Sequence, residues 1–375
     1  MGSITGGDGL RKILFIISLS LFWLLQIGCS VQPLQVVMVD GKNFKDGTIP
    51  SYMSVRKSVY SKDILNKNRE HANQQTNDPK QTNHYRVKYH PSCAKNNLAI
   101  VKGALQSGRM YPVILDTGAS AAFCVNDVHI QENKLKLYPF RNNDGRTMNW
   151  GICDLGELRI GEMILVNWPC YYQRRHTEIR LFGFPILKDK TITVGLPILR
   201  QFKYVEFDNP GGEVNFSLDR TFEPDEPNLW RHYSFVIEED EKDNTFLIVN
   251  IPIAGKINSL QLDTGNGGGL AINTESWNLI SERIENIKIV EGKDLYPYIG
   301  MFSCKQGVIP QIEVGDRIIN NVKLSVFHDD SPIMEGCKGL LGMQCFLNAK
   351  MVLDFEKSLM WVKGLDSNQL YSTSL

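Results

Sequence analysis

The feature that most constrains this chain is an internal repeat. The triplet Asp116-Thr117-Gly118 recurs as Asp263-Thr264-Gly265, and Gly195, ahead of an apolar run, recurs as Gly342; both pairs are 147 residues apart. Around the first triplet, Gly108-Arg109-Met110 with Val113 and Leu115 matches Gly255-Lys256-Ile257 with Leu260 and Leu262. Around the second mark, Leu199, Lys203 and Val205 match Phe346, Lys350 and Val352. Two independent marks in one register imply two related folding units in tandem.

Within each repeat the pattern is that of short strands. Val113-Ile114-Leu115 and Leu260-Gln261-Leu262 are apolar runs broken by glycine, and Glu157–Glu162 and Gln311–Asp316 alternate apolar and polar before a turn. One amphipathic helix is expected after Thr274, with Trp277, Ile280, Ile284 and Ile287 on one face, and a short helix after each of Gly195 and Gly342. Proline, glycine and acidic residues from Asn209 through Pro224 to Pro227 mark a connection between the units, and the acidic stretch 238–243 reads as a hairpin tip. The expected organisation is a first unit over 96–217, a linker over 218–232, a second unit over 233–363 and a tail over 364–375.

The 375 residues suffice for two domains of ordinary size. Forty-one basic side chains balance 41 acidic ones, so no net field exists to recruit nucleic acid. Residues 1–29 read as an export signal: Arg11-Lys12, an apolar run from Ile13 to Leu25, then Gly28-Cys29-Ser30. Gly28-Cys29 resembles a bacterial lipoprotein cleavage box, although Gln26 stands where such boxes usually carry leucine; lipid attachment at Cys29 and simple signal cleavage both remain open. The expected location is the cell envelope or beyond it, with any membrane contact through this segment. Residues 30–95, rich in Asn, Gln, Lys, Thr and Ser, form a polar tether or a removable propeptide. Of eight cysteines, seven follow Cys29, so at least one stays unpaired within the chain. His84, His90 and Cys93 are too irregularly spaced for a zinc site.

The chemistry sits in the repeated triplets. An aspartate ending an apolar strand and followed by Thr-Gly is carried on a tight turn whose glycine lets another backbone approach. A two-fold arrangement of the repeats would bring Asp116 and Asp263 face to face. Two carboxylates about 3 Å apart repel by roughly 5 kcal/mol at an effective dielectric of about 20, so they share one proton near neutrality. The ionised member can draw a proton from a water held between them while the protonated member donates to a carbonyl oxygen. That chemistry requires neither metal nor cofactor.

Val113-Ile114-Leu115-Asp116-Thr117-Gly118-Ala119-Ser120 and Leu262-Asp263-Thr264-Gly265, each with a later hydrophobic-Gly mark at Val194-Gly195 and Leu340-Leu341-Gly342, resemble the aspartic peptidases of the pepsin and retropepsin group. The likeness spans about 96–217 and 233–363, and its duplicated endings make the chain more similar to two fused retropepsin-type units than to a typical pepsin. It implies a mainly β fold of two pseudo-symmetric, closed-barrel-like lobes with a few short helices and a cleft between them. It also implies that the Thr117 and Thr264 hydroxyls bond across the lobe interface and that Gly118 and Gly265 admit backbone amides to the carboxylates. Ser120 occupies the place where relatives often put a hydroxyl beside the aspartate, whereas the second lobe has Gly267 there. Covering hairpins follow each aspartate in that group; Gly145 and Trp150 in one lobe, and Tyr296 and Tyr298 in the other, are the candidates.

The expected activity is endopeptidase hydrolysis of an extended polypeptide by a monomer. The competing reading is an envelope lipoprotein that holds peptides in the same cleft with little or no turnover. Neither a Gly-x-Ser-x-Gly elbow nor a His-Glu-x-x-His helix is present to support another hydrolytic mechanism.

Overall fold

Apolar residues at alternate positions around each triplet fold as strands whose inner faces are fully covered. Val113, Leu115 and Leu262 have no exposed surface, each contributing about 1.5–3 kcal/mol of burial. In the computed structural model the described residues are 30–32, 84–93, 97–141, 146–166, 168–173, 178–181, 184–240, 244–284, 287–296, 300–334 and 337–364. Residues 1–29, read from the sequence as an export signal, lie outside them, as do most of the polar stretch and the tail.

The molecule is mainly β, in two lobes built on one plan. In the first, the strand Met110–Asp116 runs parallel to Ile192–Gly195 and pairs Asp116 with Gly195. In the second, Lys256–Asp263 runs parallel to Gly339–Gly342 and pairs Asp263 with Gly342. Each parallel pair is flanked by an antiparallel strand, Phe123–Asn126 or Leu270–Asn273. That strand in turn lies parallel to Cys170–Gln173 or to Arg317–Phe327. On the other side Ile100–Leu105 and Thr245–Ile253 pair with the aspartate strands.

The second lobe's sheet closes on itself where Ile253 meets Val314. In the first lobe the path taken by the long strand Arg317–Phe327 is divided between Met163–Val166 and Cys170–Gln173. Each lobe also extends a two-stranded hairpin, Lys136–Arg141 with Thr147–Asp154 and Val290–Tyr296 with the first half of Gly300–Val314.

Between the lobes lies a six-stranded antiparallel sheet in the order His84–Lys88, Glu213–Ser217, Tyr204–Asp208, Ala349–Asp354, Leu359–Gly364, Trp230–Glu239. Its central register pairs Glu206 with Val352 and Val205 with Leu353, and the repeat offset exchanges these two pairs. The local two-fold therefore passes through the middle of this sheet. Val205, Phe207, Met351 and Leu353 are fully buried beneath it, in one apolar core continuous with both lobes.

Several elements differ from the sequence reading. His84–Lys88 lies in the polar stretch before the first unit yet forms an outer strand, with Tyr85 and Val87 packed into the core. Its alternation of only two apolar residues is too short to distinguish from a loop. Asn209–Gly212, read as the start of the interlobe connection, is the turn joining Tyr204–Asp208 to Glu213–Ser217. The helix after Thr274 ends at Ser281, so Ile284 and Ile287 reach the core from the segment beyond it. An unforeseen helix, Asp127–Asn133, is its counterpart. Asn126 caps it by accepting from the Val128 N–H, and Asn273 caps the second by accepting from the Ser276 N–H. The short helices foreseen after the two glycine marks are present as Leu196–Leu199 and the 3-10 turn Met343–Phe346.

Candidate active site

Asp116 and Asp263 each end their strand at the point where the lobes meet. The turn after each is set by its own carboxylate, which accepts the N–H of the glycine two residues on: Gly118 N–H to Asp116 Oδ1 at 2.8 Å, Gly265 N–H to Asp263 Oδ1 at 3.0 Å. The threonines between them point into the interface and are fully buried. Thr117 Oγ1 donates to the Leu262 carbonyl at 2.6 Å and accepts the Thr264 N–H at 3.0 Å. Thr264 Oγ1 donates to the Leu115 carbonyl at 2.7 Å and accepts the Thr117 N–H at 2.9 Å. Four bonds, related by the repeat, fasten the two turns together without a charged group.

This lock places each glycine against the opposite lobe's carboxyl. A methyl group added to Gly118 would lie 2.6 Å from the Asp263 carboxyl carbon, and one on Gly265 would lie closer still to the carboxyl of Asp116. Glycine is required at both positions because the approach leaves no room for a side chain. The second glycine mark has a related origin. A methyl on Gly195 would overlap the Ala121 carbonyl oxygen, and one on Gly342 would overlap that of Gly268. Leu196 and Met343, the next residues, donate their N–H groups to the carbonyls of Ala119 and Asn266 at 3.0 and 2.8 Å, supporting each aspartate turn from below.

The two carboxyls are hydrogen-bonded to each other. Burial pushes Asp116 up, opposed by the bond from Asp263 and by the N–H groups of Gly118, Ala119 and Gly265. Asp263 is pushed well above the usual carboxylate range by burial first, then by the charge on Asp116 and by its bond to it. The proton belongs to the pair, since either carboxyl alone would titrate differently.

Ser120 does not serve Asp116 in the way its position suggested. Its hydroxyl donates to the Thr245 carbonyl at 3.2 Å and accepts the Thr245 N–H at 2.9 Å, so it ties the first lobe to a strand of the second. The Ala119 N–H closes the turn on the Asp116 carbonyl at 3.3 Å. On the other side of the two-fold, where Gly267 has no side chain, its carbonyl accepts from Asn97 Nδ2 at 3.2 Å. Thr245 and Asn97 were not singled out in the sequence because their contacts join residues more than a hundred positions apart.

Of the covering-hairpin candidates, Gly145 and Tyr298 lie outside the described residues. Trp150 sits half-buried on the first-lobe hairpin, edge-on to Phe140 with ring centres 4.9 Å apart. Tyr296 ends the first strand of the second-lobe hairpin and packs edge-on to Phe327 at 5.9 Å. Its hydroxyl is buried with no hydrogen-bond partner among the described residues. Burial, then the charges of Asp294 and Asp263, push its pKa up.

No family model and no curated protein matches this chain. Among solved structures, the aspartic proteinase from Irpex lacteus overlaps it with a TM-score of 0.43 and 10% identity, over 78% of this chain and 99% of that one. The duplicated turns and their contacts, rather than an overlap of that size, carry the functional reading.

Proposed function

We propose that this protein is an aspartic endopeptidase in which Asp116 and Asp263 act as one water-activating pair. The observation that carries this reading is the reciprocal Thr117–Thr264 lock, which brings two carboxyls from separate repeats into one hydrogen-bonded unit. A purely structural turn needs no such convergence, and burying two acids together costs stability that a functional pair justifies.

In this mechanism Asp116 takes a proton from a water poised between the carboxyls as the oxygen attacks the peptide carbon. Asp263 gives its proton to the carbonyl oxygen, forming a neutral tetrahedral diol. Asp116 then passes its proton to the amide nitrogen while Asp263 recovers one from the diol, and the C–N bond breaks. The substrate is an extended polypeptide in the cleft between the lobes, paired through its backbone with the covering hairpins. Trp150 and Tyr296, one on each hairpin, would contact its side chains. Export through residues 1–29 and action as a monomer complete the proposal.

Cleavage of an unfolded protein by the purified full chain, from acid to neutral pH, tests it. Turnover is expected from the wild type and its loss from Asp116→Asn and Asp263→Asn. Inhibition by a statine-type mimic of the tetrahedral diol is expected to be far tighter than by the matching peptide. Tight peptide binding without turnover in the wild type would instead favour a binding protein that uses the same cleft.

A further inference from the structure

Beneath the first-lobe hairpin two thiols face each other across neighbouring strands. Cys153, on the returning hairpin strand Thr147–Asp154, is the direct antiparallel partner of Cys170 on Cys170–Gln173. Both side chains have no exposed surface and belong to the apolar core of the lobe. Cys153 adds to the rise that burial causes in the Cys170 thiol.

We propose that Cys153 and Cys170 are a disulfide-forming pair, a cross-strand bridge that fastens the base of the first-lobe hairpin to the rest of the first-lobe sheet. Directly paired residues of antiparallel strands have Cα atoms about 4.5–5.5 Å apart, within the range a disulfide spans. The choice of partner follows from the register. Cys170 lies beside Phe123 on the adjacent parallel strand, while Cys124 lies beside Tyr171. Successive side chains in a strand alternate faces, so Cys124 is on the face opposite the pair. Cys304, Cys337 and Cys345 lie in the second lobe, and Cys93 precedes the strand Ile100–Leu105. A chain with seven cysteines beyond the export signal therefore has one pair preset by strand register.

The oxidant is a low-molecular-weight disulfide such as oxidised glutathione. The thiolate of one cysteine attacks it, forming a mixed disulfide and releasing one small thiol. The second cysteine then attacks the protein sulfur of that mixed disulfide, forming the Cys153–Cys170 bond and expelling the second small thiol. Two protein thiols lose two electrons and two protons, and the small disulfide takes up both. In the folded lobe, burial is the first cause that raises the Cys170 thiol, which keeps the attacking thiolate scarce. The bridge therefore forms during folding, before the core closes. This inference does not depend on the peptidase reading.

The test is peptide mapping of the full chain produced in an oxidising compartment. After alkylation in denaturant and digestion without reductant, the peptides carrying Cys153 and Cys170 are expected as one species, lighter than their sum by two hydrogens and separated by reductant. Thermal unfolding should show a midpoint lowered by roughly 5 °C or more when reductant is present. In Cys153→Ala/Cys170→Ala that sensitivity should disappear, while Cys124→Ala should keep it. Recovery of both cysteines singly alkylated, or linkage of either to another cysteine, would overturn the proposal whether or not the variants fold.

Discussion

Thr117 and Thr264 each donate a hydroxyl to the carbonyl of the leucine before the opposite aspartate and accept the opposite threonine's N–H, so neither aspartate turn is complete without the other lobe. The carboxyls meet because these neutral, fully buried bonds hold the turns in register against the repulsion of two acids.

Replacing Thr117 by valine keeps the volume but strands the Leu262 carbonyl and the Thr264 N–H in a buried interface. Unmet buried groups cost about 1–3 kcal/mol each, so Thr117→Val is expected to lower stability by about 2–5 kcal/mol. Thr264→Val should cost a similar amount. The double variant should cost less than the sum, because the two share one network; urea unfolding of all three measures this.

The dyad makes stability depend on pH in a defined direction. Burial raises both carboxyls, Asp263 most. A raised acid holds its proton more firmly folded than unfolded, so its contribution is complete below the unfolded value and is lost as pH rises through the folded one. Asp263→Asn removes that loss. Its unfolding midpoint is expected to exceed the wild type's near neutral pH and to converge on it toward pH ~3, while peptide hydrolysis disappears throughout. A variant less stable than wild type at neutral pH would contradict the assignment.

Ser120→Ala separates two roles for one hydroxyl. Its bonds to Thr245 predict a stability loss of about 1–2 kcal/mol from the weakened lobe contact, with the pH–rate profile unmoved. A displaced acid limb would show instead that the hydroxyl tunes Asp116.

Gly195→Ala and Gly342→Ala place a methyl onto a backbone carbonyl oxygen that cannot swing aside. Each is expected to cost about 3 kcal/mol or more, at the upper end of overpacking effects. Gly212→Ala serves as a comparison, because that glycine has open space around its added methyl and only its left-handed backbone is strained. Denaturant midpoints of the three decide the order.

Tyr296→Phe deletes a buried hydroxyl that lacks a partner among the described residues. The free protein is expected to gain up to about 1–2 kcal/mol of stability. If the hydroxyl meets the substrate backbone, KM for peptide should rise with little change in kcat, which steady-state kinetics on wild type and variant would resolve.

The repeat alone settled that there are two lobes of one plan, and it picked out both aspartates and both supporting glycines. These signals are local: a strand, a tight turn and a residue type that only close backbone approach requires. The unforeseen helix Asp127–Asn133 was also encoded, since Asn126 and Asn273 occupy equivalent places in the repeat, but one turn of apolar spacing is too little to declare a seven-residue helix. Tertiary structure decided the rest. Whether Ser120 faces its own aspartate or Thr245, whether His84–Lys88 is tether or strand, and which cysteine meets Cys153 depend on strand register between segments far apart in the chain. A residue's type does not specify its distant neighbour; the core that buries both strands does.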